Sequence, residues 1–94
     1  MQVQVLLPGV LREHAQGADE VRLELADGAD VRAAVAEMAG RWPELGRRLR
    51  DETGALRRHV NVFVDGDDVR ALSGVDTELR AGAVLHVLPS VAGG

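Results

Sequence analysis

The 94-residue sequence has no cysteine and no lysine, and its aromatic side chains are Trp42 and Phe63 alone. Without thiols there is no disulfide, no thiolate metal site and no side-chain sulfur nucleophile, so any sulfur chemistry must use another group. Without lysine the eleven basic residues are all arginine, and the chain cannot be joined to copies of itself through a lysine side chain. Two aromatics leave the core to aliphatic side chains and provide no platform on which nucleic-acid bases could stack. Long apolar runs are missing too. Stretches such as Val84 to Leu88 fall far short of a bilayer span, and Met1-Gln2-Val3-Gln4 has neither a basic region nor a long apolar one. The expectation is a soluble, cytoplasmic protein with no membrane partner. Net positive charge is also lacking: the formal charge is −4 and the pI about 5.2, which argues against nucleic acid as a partner, because phosphate neutralisation needs a basic face.

A chain of this length makes one compact domain. At residues 3 to 7, alternation sets Val3, Val5 and Leu7 against Gln2 and Gln4, a first strand; residues 20 to 25 set Val21, Leu23 and Leu25 against Glu20, Arg22 and Glu24, a second. The connection through His14 to Asp19 makes the two a hairpin. After a turn at Ala26-Asp27-Gly28, Asp30 can cap a helix whose apolar positions Val31, Val35, Met38, Ala39 and Trp42 recur at helical spacing. Gly40 weakens the end of that helix and Pro43 stops it. Residues 44 to 50 add one or two helical turns before the polar loop Asp51 to Gly54. Val60 to Val64 is strongly β-prone and runs into Asp65-Gly66, the pair that supplies positive φ angles to a tight hairpin. Asp68 to Leu72 returns as a short strand, a compact segment spans Asp76 and Thr77, and Ala83 to Leu88 reads as a last strand ended by Pro89. This order implies an α+β fold of β-grasp type: a mixed sheet of four to five strands packed on one main helix. The domain is expected over residues 1–89, with 90–94 a flexible tail.

That tail, Ser90-Val91-Ala92-Gly93-Gly94, is where the residue types point to chemistry. Two glycines without Cβ atoms can enter a narrow channel in a partner. A carboxylate on Gly94 is a poor electrophile, but transfer of AMP from ATP makes it an acyl adenylate that a persulfide or an amine can attack. Other candidates are weaker. His14, His59 and His86 are scattered without metal-ligand spacing, so no metal site is expected. Asp65-Gly66-Asp67-Asp68 lacks the spacing and closing glutamate of a calcium loop, and Asp27 with Asp30, or Glu37 with Glu44, read as cap and surface charges. Arg47, Arg48, Arg50, Arg57 and Arg58 form a local basic cluster, either a solvated face or a contact to an acidic or phosphorylated partner. If Leu85 and Val87 face the helix, alternation turns Val84, His86 and Leu88 outward onto the face that Phe63 also reaches, a patch for a partner to grip.

Val60-Asn61-Val62-Phe63-Val64-Asp65, Gly82 before an apolar strand, and Leu88-Pro89-Ser90-Val91-Ala92-Gly93-Gly94 together resemble the ubiquitin-like sulfur carrier family (ThiS/MoaD-like). Within it they are most similar to the actinobacterial CysO-type branch of cysteine synthesis. The resemblance covers essentially the whole chain and is tightest over Leu56 to Arg70 and Val84 to Gly94. It departs at Ala83, where an acidic residue is common, and at Ser90, where a second proline is. The resemblance implies a carrier that is itself no enzyme, is monomeric when free and binds no cofactor. An E1-like adenylyltransferase/sulfurtransferase with ATP and magnesium on that enzyme would act on Gly94, with Val91, Ala92 and Gly93 gripped beside it. It further implies a sulfur-accepting, cysteine synthase-like partner and a metalloprotease that frees the product. A protein modifier joined through Gly94 to target lysines is the alternative, as are sulfur carriers for thiamine, molybdopterin or a thio-containing secondary metabolite.

Overall fold

The computed structural model describes residues 1–89, so the expected tail, 90–94, lies outside the described residues. Strand β1 (Gln2–Leu6) is followed by a short helix α1 (Gly9–Arg12) with a 3₁₀ turn (Glu13–Ala15), then β2 (Glu20–Glu24), α2 (Val31–Arg41), α3 (Pro43–Leu49), β3 (Val60–Val64), β4 (Asp67–Asp68), 3₁₀ turns at Val69–Ala71 and Gly74–Asp76, and β5 (Val84–Pro89). The five strands lie in the order β2-β1-β5-β3-β4. Strand β5 runs parallel to β1 and antiparallel to β3, so the sheet is mixed, and this is the α+β, β-grasp architecture expected from the sequence.

The alternation does what it implied. Val3, Val5, Leu7, Val21, Leu23, Val62, Leu85 and Val87 are all buried, and α2 brings Val31, Ala34, Val35 and Met38 down onto them. Asp30 caps α2 by accepting from the Ala33 amide at 3.0 Å. Trp42, in extended conformation, joins α2 to α3, with Pro43 opening the second helix. The one or two helical turns expected over residues 44 to 50 form α3, which packs beside the main helix and buries Leu45 and Leu49. Gly46 allows this closeness: a Cβ there would lie 2.4 Å from the Ala39 Cβ and 2.9 Å from its Cα.

The expected β1–β2 hairpin is present, with its connection more structured than the sequence indicated, and one local expectation needs correction. The connection after β1 is helical, with Ala15 fully buried, because the chain must carry an apolar anchor over the end of the hairpin. The return strand is shorter than the expected Asp68 to Leu72. The Asp68 carboxylate accepts from the Arg70 amide at 2.9 Å and bends the chain into a 3₁₀ turn that buries Val69. Arg70 then reaches back along the free edge of β3, donating to the Val60 carbonyl at 2.7 Å, the Arg58 carbonyl at 3.3 Å and the Asn61 side chain.

At the other end of the hairpin, Met1 extends the ladder: its ammonium donates to the Leu25 carbonyl at 2.6 Å, and the Leu25 amide returns the bond at 2.8 Å. The hydrogen bond to Glu24, with a further contribution from Asp27, raises this amine above its ordinary value of 8.0. A group held more basic in the folded state stabilises the fold below its unfolded value and stops doing so as pH rises through the folded one. The thermal midpoint is therefore expected to fall as pH is taken upward from 8, and Glu24→Gln should flatten that fall in a pH series of melting curves. The helix contact makes a second prediction. Gly46→Ala should cost about 1–3 kcal/mol through overpacking, whereas Gly40→Ala, whose Cβ meets nothing within 4 Å, should gain about 0.5–1 kcal/mol. Denaturant titration of the two variants checks both signs.

Candidate functional site

Strand β5 sorts its side chains by parity. Leu85 and Val87 are buried beneath the helices, while Val84 is half-buried and His86 and Leu88 are exposed on the opposite face. Register places Leu6 beside His86 on one side and Phe63 beside His86 on the other, so a row Leu6–His86–Phe63 crosses the middle of the sheet. Val84 and Leu88 flank that row along β5. Together with the Asp65-Gly66 turn these side chains line a shallow depression of about 600 Å³. Its wall is mostly apolar, with the imidazole of His86 as the polar group at its centre. The four residues expected on the outward face, Phe63, Val84, His86 and Leu88, are thus brought together.

The turn that frames the depression is built from Asp65 and Gly66, both at positive φ (49° and 92°). Asp65 also ties β5 in place: its carboxylate accepts from the Val84 amide at 2.9 Å, and its own amide donates to the Val84 carbonyl at 2.9 Å. Sequence reasoning assigned no role to Leu6. The signal was available, because the same alternation that buries Val3, Val5 and Leu7 must turn Leu6 to the outer face. The side-chain role of Asp65, in contrast, depends on a strand distant in sequence and left no local trace.

The tail candidates Val91, Ala92, Gly93 and Gly94 lie outside the described residues, but the strand that leads to them is the one carrying the outward face. A smaller groove of about 160 Å³ sits where that strand ends, between Val10, Leu11, His59, Leu88 and Pro89, with Arg48 at its rim. Three arginines of the basic cluster, Arg47, Arg48 and Arg57, are engaged locally. Arg47 and Arg48 both bond to Glu44, at 2.8 and 3.2 Å, which holds that carboxylate below its usual range. Arg57 donates to the Arg47 carbonyl at 2.6 Å. Arg47, Arg50 and Arg57 share their depression with Asp51 and Glu52, so the cluster is charge-mixed rather than uniformly basic. His14 faces Glu13 at 3.3 Å, and among the described residues no three His, Asp or Glu side chains gather as metal ligands. Among the described residues, too, no helix is long and apolar enough to cross a membrane.

Comparison with known proteins gives this geometry a context. A family model described as the ThiS family matches residues 5–94. The sulfur carrier protein CysO of Mycobacterium tuberculosis is 34% identical over 96 positions, spanning 100% of both chains. A chain in the crystal structure of the Amycolatopsis orientalis BexX/CysO complex superposes with a TM-score of 0.83 at 37% identity, covering 98% of this chain and 99% of that one. The Haloferax volcanii small archaeal modifier protein 1 superposes with a TM-score of 0.82 at 28% identity, covering 96% of this chain and 98% of that one.

The parity of the sheet predicts opposite outcomes for neighbouring residues. Val62→Asp puts an unpaired charge among aliphatic side chains, a cost of several kcal/mol that a domain stable by about 5–15 kcal/mol does not survive intact. Phe63→Asp and Leu88→Asp should keep the fold and its melting temperature nearly unchanged. Circular dichroism of the three variants is the check, and an unfolded Phe63→Asp beside a folded Val62→Asp would invert the sheet.

Proposed function

The chain belongs to the ThiS family, and from that membership we propose that it carries sulfur as a thiocarboxylate on Gly94, most directly for the synthesis of cysteine. It acts as the co-substrate of partner enzymes rather than as an enzyme. An E1-like adenylyltransferase, with ATP and magnesium bound to that enzyme, joins AMP to the Gly94 carboxylate and releases pyrophosphate. Sulfide then attacks the carbonyl carbon, and the C–S bond forms as the bond to AMP breaks, leaving the thiocarboxylate; a persulfide donor gives an acyl disulfide first, and a second thiol of the partner cleaves its S–S bond, forming a disulfide with the donor and releasing the thiocarboxylate. A cysteine synthase-like partner takes the sulfur, and a metalloprotease frees the product.

The observation that carries this reading is the full-length identity to a sulfur carrier protein, joined to an outward face on the very strand that leads into Gly93-Gly94. Leu6, Phe63, Val84 and Leu88 supply apolar area, and His86 a polar group, at the centre of a surface that an activating enzyme or a synthase can cover. Val91 and Ala92 would extend that grip toward Gly93, whose missing Cβ suits a narrow channel. The whole-chain likeness to an archaeal modifier protein favours one second reading, conjugation of activated Gly94 to lysines of other proteins.

Intact mass spectrometry separates these readings. Incubation with ATP, an adenylating partner and sulfide should add about 16 Da, one oxygen replaced by sulfur. Deleting Gly94 should abolish the gain while leaving thermal unfolding unchanged, and Gly93→Val should block it by bulk alone. Amide-linked conjugates to a lysine-bearing target, with no mass gain from sulfide, would establish the modifier instead.

A further inference from the structure

Charge is unevenly placed along this acidic chain. Residues 41–60 carry six arginines against three carboxylates, while the rest of the sequence carries five against twelve. The fold sets part of that basic segment at one particular end of the sheet. Val60 pairs with Pro89, so Arg58 and His59, which come just before Val60, border the point where β5 leads toward residues 90–94. Arg48, in the last turn of α3, lines the small groove at this end together with His59, Leu88 and Pro89, and Val10 and Leu11 of α1 add an apolar wall. Arg70 approaches from the far side of β3, where its guanidinium holds the Arg58 and Val60 carbonyls. The charge is not cancelled locally. Arg48 shares Glu44 with Arg47, so two guanidiniums face one carboxylate, and no carboxylate among the described residues pairs with the exposed Arg58 side chain. Val10 is 66% exposed, which leaves apolar surface uncovered beside that charge.

We propose that this groove and its arginines form a second docking surface, which receives an acidic lip of the activating enzyme: one aliphatic side chain enters the groove, and carboxylates beside it face Arg48 and Arg58. The proposal rests on the carrier reading of Gly94 and names the chemistry of the partner which that reading requires. Leu88 lines both this groove and the depression around His86, so the two surfaces meet across β5 and a partner closing on the strand covers both. Positive charge at the base of the tail has a kinetic effect. It draws this end, rather than the acidic remainder, toward a negatively charged entrance and raises the rate of encounter at low salt. Nucleic acid is the poorer occupant, because the whole chain stands at −4 and neither Trp42 nor Phe63 lines the groove as a stacking platform.

The first arm of the test needs no variant. The isotope-labelled protein is titrated with the capped peptides Glu-Glu-Leu-Glu-Glu, Gln-Gln-Leu-Gln-Gln and Lys-Lys-Leu-Lys-Lys while its amide resonances are followed by NMR. The acidic peptide should move the amides of Val10, Leu11, Arg48, Arg58 and His59, and the other two should leave them in place. In the second arm, pyrophosphate release with ATP and the adenylating partner is measured at about 0.01 M and about 0.15 M salt, between which the screening length falls from about 30 Å to about 8 Å. Wild-type kcat/KM should drop about tenfold across that range. Arg48→Gln with Arg58→Gln should start about tenfold lower at low salt, keep its kcat and lose most of the salt dependence. Arg32→Gln with Arg80→Gln removes the same charge from exposed positions outside the groove and should behave as wild type. Circular dichroism verifies that both variants are folded. Wild-type amides that ignore the acidic peptide, a groove variant with wild-type kcat/KM and salt dependence, or an equal loss in the control variant would overturn the proposal. So would a short oligouridylate that displaces the acidic peptide from these amides. Failure of the carrier reading would appear instead as no mass gain with ATP, activating partner and sulfide at either salt, and would leave the peptide shifts untouched.

Discussion

The register of β5 is the constraint on which the rest of the molecule depends. It has neighbours on both sides, parallel to β1 through Val84, Leu85 and His86 and antiparallel to β3 from Leu85 to Pro89. With side chains alternating between faces, one set of hydrogen bonds decides two things at once: Leu85 and Val87 complete the core, and Val84, His86 and Leu88 complete the outer surface. A slip of one residue would exchange the two sets. Asp65 guards against that slip by bonding both the amide and the carbonyl of Val84, which fixes the start of the strand against the β3–β4 turn.

Much of this was legible in the sequence because it is local. Period-two alternation marks four strands, Asp30 stands one residue before a helical repeat, and Asp65-Gly66 carries its own turn chemistry. The outward face follows from the same alternation once the inward one is known. What escaped reading depends on residues far apart in the chain. Gly46 looks like a helix-weakening residue until Ala39 is seen against it. Ala15, an unremarkable alanine in a polar connection, is fully buried because the hairpin end needs covering. Asp68 to Leu72 has the composition of a strand, but the bond from the Arg70 amide to the Asp68 side chain offers the backbone a competing turn, and the turn wins. Of the site itself, the outward quartet was readable from parity, and Leu6 could have been added by the same rule.

A core almost wholly aliphatic leaves directional bonding to the periphery. There arginine serves in place of the missing lysine and does more than carry charge. Arg12 donates to the Leu7 carbonyl at 3.1 Å, Arg41 to the Arg22 carbonyl at 3.2 Å, and Arg57 to the Arg47 carbonyl at 2.6 Å. A planar fork with five donors can satisfy a backbone oxygen while still facing a carboxylate or solvent, and less side-chain freedom is lost for each bond formed than with a flexible ammonium.

At the borders of the sheet the same chemistry has a further result. Strand β4 covers only the Phe63 and Val64 end of β3, so the Val60 end would present bare carbonyls to any extended peptide drifting past. Arg70 occupies that stretch, and Arg41 occupies a carbonyl on the opposite border at β2. Each guanidinium puts a positive charge and a bulky plane where an incoming strand would have to lay its own amides. Each flank thus carries a guard against lateral growth, so that the molecule offers other proteins a face more readily than a border to polymerise on.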